Sequence, residues 1–137
     1  MRERIAFTHP RIGQDSPYPS YSVEGPMVAL TNENAGSDGD IFSHSFKILS
    51  LGPLIGTRTW GGVVGISPER RLADGTQVTQ PRFGMNFKDV GFGVENYGTD
   101  PTDEVEISPE DWHRGKDPQM ELALGKIMEM IKINRKK

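Results

Sequence analysis

Cysteine is absent from the 137 residues. Disulfides, thiolate catalysis and a cysteine-built zinc site are thereby excluded. Long apolar runs are missing too: none approaches the roughly 18 residues of a membrane span. The N-terminus shows no signal-peptide core. The expectation is a soluble, unexported, cytoplasmic chain without a membrane partner. Aromatic residues make up only 8%, and the net charge is −3 with both signs mixed. No basic stripe with interleaved aromatics occurs, so nucleic acid is not expected as a partner. No internal repeat and no low-complexity segment is found.

Apolar residues make up 34%, and the chain carries 16 glycines and 10 prolines. One domain with many turns follows from that balance. Residues 1–25 carry three prolines and no amphipathic period, and read as an irregular segment with an extended piece near Ile5–Phe7. Residues 26–116 read as an α/β core. Pro26–Thr31 predicts a buried strand, residues 39–50 a helix stopped by Gly52-Pro53, and Leu54–Trp60 a second strand. Strand, helix, strand implies a parallel pair. Asp74-Gly75 marks a hairpin between 71–73 and 76–80, with a further strand at 82–87. Gly93–Gly98 reads as a short strand or loop, Glu104–Ile107 as an edge strand, and Trp112–Gly115 as a loop. Asp117 and Pro118 cap a helix over 117–134. The basic residues Lys132 and 135–137 complement its C-terminal dipole.

Between the first strand and its helix lies Asn32-Glu33-Asn34-Ala35-Gly36-Ser37-Asp38-Gly39-Asp40. A serine at a helix start can meet free backbone N–H groups and the positive end of the dipole, a setting that suits a nucleophile and its oxyanion. The same residues also make an ordinary turn and cap. A nucleophilic serine needs a base, and only His9, His44 and His113 are available. His44 falls two helical turns beyond Ser37, about 10 Å away. His113 reads as solvated, and His9 lies in the irregular segment. Glu33, Asp38 and Asp40 lack a calcium-loop spacing, and acids at a helix start are accounted for by the dipole. No metal and no cofactor is expected.

The nine-residue stretch above resembles the tricorn-like branch of the tail-specific, or C-terminal-processing, serine peptidases. So do Gly52-Pro53-Leu54-Ile55-Gly56-Thr57-Arg58-Thr59-Trp60-Gly61-Gly62, Leu72-Ala73-Asp74-Gly75, Pro81-Arg82-Phe83, Val94-Glu95-Asn96-Tyr97-Gly98, Glu104-Val105-Glu106 and Gly115 to Glu121. The likeness spans about residues 17–125. It implies an α/β fold of the crotonase and Clp-protease type, here only the C-terminal, nucleophile-bearing part. It makes Ser37 the nucleophile, the Asp38 N–H one half of the oxyanion hole, and Glu95 the carboxylate of a Ser/His/Glu/Ser-type tetrad. Thr59, Trp60, Gly61 and Gly62 would shape a cleft for a peptide substrate. In such peptidases the catalytic histidine, a second serine, the second oxyanion glycine and the β-propeller and PDZ-like regions lie upstream, and nothing here matches them. Thr102 stands where an acidic residue is common.

The implied function is the nucleophile-bearing subdomain of a serine peptidase, inactive alone and oligomeric through self-association. The alternatives are a non-enzymatic peptide-binding or subunit-pairing module and, on fold analogy only, an acyl-CoA enzyme of the crotonase type.

Overall fold

The computed structural model describes residues 4–23 and 25–134. The elements run β1 (Ala6–Thr8), β2 (Ser16–Tyr18), β3 (Ala29–Thr31), α1 (Asp38–Ile48), β4 (Leu54–Gly56), β5 (Gly65–Arg71), β6 (Gln77–Phe83), β7 (Asp103–Glu104), α2 (Pro109–His113) and α3 (Pro118–Asn134). The central sheet has the order β3-β4-β7, and both pairings are parallel. The β3-α1-β4 unit follows the expected pattern, although its strands are shorter than the apolar runs that announce them. Past Gly56 the chain leaves the ladder, and the Thr57 N–H turns to the Thr31 carbonyl. Gly56 sits at φ +131, where a Cβ would lie 1.9 Å from the Thr31 carbonyl oxygen. Only glycine lets the two strands approach there.

Helices α1 and α3 both pack against β3 and β4. One small core joins Ala29, Phe46 and Leu54, with Met27 and Leu51 at its edge. A second joins Val63, Phe87 and Val94, with Ile41 and Met85 beside them. Leu54 and Ile55 are fully buried, as befits the middle strand of a sheet covered by helices. Asp117 caps α3 as its position before Pro118 predicts, its Oδ1 accepting the Met120 N–H at 2.9 Å. Lys132 lies in the last turn of α3, while residues 135–137 of the basic tail lie outside the described residues.

Three segments differ from the sequence reading. Residues 1–25 hold an antiparallel hairpin, β1 with β2, closed at one end by the Thr8 and Ser16 hydroxyls 2.7 Å apart. Trp112 and His113 belong to the short helix α2, which opens on a capping box: the Ser108 side chain accepts the Asp111 N–H and the Asp111 carboxylate accepts the Ser108 N–H. The hairpin around Asp74-Gly75 is longer than predicted and takes in Pro68 and Pro81, with register shifts at Gly65/Ile66 and at Ser67/Arg70. Proline fits there because each strand of this two-stranded sheet has an open edge.

No helix among the described residues is long and apolar enough to cross a membrane.

Candidate functional site

Ser37 is the N-cap of α1 and takes φ 54, ψ −112. A non-glycine residue there carries backbone strain that neighbours must hold. Its side chain makes no capping bond and is exposed. Its N–H donates to the Gly62 carbonyl at 3.2 Å, and its carbonyl accepts the Ile41 N–H at 3.0 Å. The Asp38 N–H, next along, meets no acceptor among the described residues. An exposed hydroxyl beside a free N–H at a helix start is an arrangement able to deliver a nucleophile and stabilise the oxyanion it generates.

The turn before it is built locally. Asn32 accepts the Asn34 N–H on its side-chain oxygen and the Ala35 N–H on its carbonyl. The Trp60 N–H donates to the Ala35 carbonyl, and the indole packs closely against both Gly36 and Gly62. A Cβ would come within 2.6 Å of the ring at Gly36 and 2.4 Å at Gly62. Both glycines are therefore required by the tryptophan that covers the bend.

Opposite Ser37 runs the segment 61–64, whose four N–H groups all end on carboxylates. Asp40, fully buried, accepts Gly61 N–H on Oδ1 at 2.8 Å and Gly62 N–H on Oδ2 at 3.0 Å. Glu95, half-buried, accepts Val63 N–H at 2.7 Å and Val64 N–H at 2.9 Å, both on Oε2. Its Oε1 bonds to no described residue. Ser37 and Glu95 thus both contact the 61–64 segment, Ser37 through Gly62 and Glu95 through Val63 and Val64.

The expected cleft residues separate into two layers. Thr59 and Trp60 line a groove of about 1190 Å³, while Gly61 and Gly62 sit behind it, held by Asp40. Thr59 is itself buried and turns its hydroxyl oxygen to the Thr99 N–H. The groove lies past the C-terminal ends of the parallel strands, where open α/β sheets bind ligands. Arg58 stacks 4.6 Å over the Tyr97 ring on its wall. At its edge the Glu33 carboxyl is held below the ordinary carboxylate range, first by its own backbone N–H and then by the Thr57 hydroxyl.

None of the three histidines bonds to Ser37. His44 is buried, with Nε2 3.1 Å from Asp89 Oδ1, Nδ1 3.3 Å from the Thr99 hydroxyl, and its ring edge-on to Phe87. It is a packed structural residue. His9 pairs with Asp15 at 2.8 Å in the β1–β2 hairpin, and His113 is exposed at the end of α2. Among the described residues no group of three metal-ligating side chains gathers. Sequence reasoning missed Asp40 as a clamp. Its type and place at a helix start look alike whether the carboxylate faces water or the interior.

The profile of peptidase family S41 matches residues 2–105. The chain belongs to peptidase family S41. It is 60% identical over 132 residues to the tricorn protease of Thermoplasma acidophilum, covering 96% of this chain and 12% of that protein. It is 48% identical over 131 residues to a putative tricorn-like protease C-terminal subunit of Sulfurisphaera tokodaii, covering 96% and 15%. A crystal structure of the tricorn protease superposes with a TM-score of 0.85 at 60% identity, over 96% of this chain and 13% of that one. A putative peptidase from Parabacteroides merdae superposes with a TM-score of 0.55 at 26% identity, over 74% and 31%. This family S41 chain thus has the peptidase α/β fold and spans about one eighth of the length of the tricorn proteases it matches.

Proposed function

We propose that the chain is the nucleophile-bearing catalytic subdomain of a tricorn-like serine peptidase. Ser37 attacks the peptide carbonyl, and the Asp38 N–H receives the developing oxyanion. The observation that carries this reading is the strained, exposed Ser37 at the start of α1 with an unused N–H directly after it. Glu95 serves as the tetrad carboxylate: Oε2 is anchored by two N–H groups, leaving Oε1 for a hydroxyl from outside the chain. The histidine and second serine come from an upstream subdomain, and without them Ser37 keeps the high pKa of an ordinary alcohol. The peptide runs past Thr59 and Trp60, which line the groove, while Ser37, Gly61 and Gly62 stand outside its lining.

A surface left for partners supports the same reading. The accessible area is 10367 Å², whereas a compact monomer of this size exposes about 7,100 Å². Met120, Leu124 and Met128 stand exposed four residues apart on α3. We assign that excess to the upstream subdomain and to self-association in a cytoplasmic oligomer. The exposed area also favours the second reading, a non-enzymatic pairing module on the peptidase fold.

A fluorophosphonate probe tests the proposal. The isolated chain should label negligibly. Adding the His-bearing upstream part should bring labelling up, and Ser37→Ala should remove it. Labelling that never appears in the reconstituted pair favours the pairing module. Strong labelling of the isolated chain refutes the missing base.

A further inference from the structure

We propose that Asp40 is a positioning residue that holds the Ser37 bend in its reactive geometry; this rests on the reading of Ser37 as the nucleophile. Two aspartates begin α1, and they differ. Asp38 is exposed, as an acid that merely complements a helix dipole is free to be. Asp40 is wholly buried, and both its oxygens are filled by the N–H groups of Gly61 and Gly62. A buried carboxylate without such partners would be very unfavourable. Within one helical turn the connections close into a ring. Asp40 grips Gly61 and Gly62, the Gly62 carbonyl accepts the Ser37 N–H, and the helix returns from Ser37 to Asp40.

That ring restrains a residue that would not stay put unaided. At φ 54, ψ −112 Ser37 lies outside the favoured regions for an L-residue. The direction of the Asp38 N–H follows from the Ser37 backbone, so relaxation at Ser37 swings the oxyanion donor away. Electrostatic catalysis depends on donors fixed before the charge develops. A neutral asparagine keeps the shape of Asp40 but has one acceptor oxygen, so one of the two glycine N–H groups would face its amide nitrogen. Charge-assisted bonding would be lost at both.

The test reads hydrogen bonds directly by NMR on the 137-residue chain. Scalar couplings across the bonds from Gly61 and Gly62 N–H to the Asp40 carboxylate, and from Ser37 N–H to the Gly62 carbonyl, should be present. Their absence in the unaltered chain overturns the proposal, with no variant needed. In Asp40→Asn the Ser37 amide should exchange at least about tenfold faster while Leu54 and Ile55 keep their protection. Unchanged Ser37 exchange in a folded variant overturns it as well. In the pair reconstituted with the His-bearing part, Asp40→Asn should slow the maximal fluorophosphonate labelling rate about tenfold or more and leave the probe's half-saturating concentration unchanged. An unchanged maximal rate refutes the positioning role. No labelling of the unaltered pair refutes the nucleophile reading instead, and the couplings still report whether Asp40 holds the bend.

Discussion

Between Ala29 and Val64 the chain buries Leu54, Ile55, Phe46 and Val63 and ties the 61–64 backbone to Asp40 and Glu95. The β5–β6 hairpin that follows directly leaves all but Gly65, Ser67 and Gln80 exposed, including Ile66, Val78 and Phe83. Its strands contact chiefly each other. The first is ordered by burial between elements distant in sequence and the second by a local turn. Only the first encloses a core. A strong Asp-Gly turn can define a hairpin whose apolar residues stay largely exposed, so an ordered backbone is not a measure of completeness. On the proposed reading the site is likewise half supplied: Ser37 and its braces are here, and the base comes from outside.

The contrast breaks if mutations in the two regions cost the same. Leu54→Ala should destabilise the chain by about 3 kcal/mol, and Val78→Ala by less than about 0.5 kcal/mol, in urea titrations. A large loss at Val78 would mean that the hairpin is covered in solution. Next in size, Glu95→Gln replaces the carboxylate that receives Val63 and Val64 and should cost about 2 kcal/mol, with the amides of 63 and 64 losing exchange protection first. Gly75, at φ +84 with open space around it, should accept alanine at a cost of roughly 1 kcal/mol from the left-handed backbone alone. That loss should appear as hairpin fraying, leaving the exchange of Leu54 untouched.

The smallest effect is electrostatic. Asp89 is held below the ordinary aspartate value of about 3.9, first by its hydrogen bond to His44. A depressed carboxylate contributes stability that is fully present above the unfolded value and fades as the pH falls through the folded one. The chain should therefore lose this contribution below about pH 4. Asp89→Asn should flatten the acid limb of a stability–pH curve there, and an unchanged limb would show the pair to be energetically silent.

Much of the ordered scaffold was legible. Met27 to Leu30 announced β3, Asp74-Gly75 the hairpin, and Asp117-Pro118 the start of α3, because each signal is local. Ser108-Pro109-Glu110-Asp111 carried the capping signature of α2 and passed unread, since only five helical residues follow Ser108. The β1–β2 hairpin pairs Phe7 with Pro17 across a loop, and nothing in a proline-rich stretch without alternation specifies that partner. At the site, glycine and serine at a strand-to-helix bend raised Ser37 as a candidate. The direction of the Asp40 side chain was unreadable, because burial of a carboxylate depends on Gly61 and Gly62, 21 and 22 residues away.

The indole over Gly36 and Gly62 has an optical consequence. The chain holds two tryptophans, Trp60 and Trp112, and both line the same groove. Tryptophan emission, excited selectively, therefore originates entirely from that groove, with Trp60 resting against the bend that carries Ser37. A peptide entering the groove, or a subdomain closing over it, takes both fluorophores out of water together, so the unlabelled chain carries its own occupancy signal.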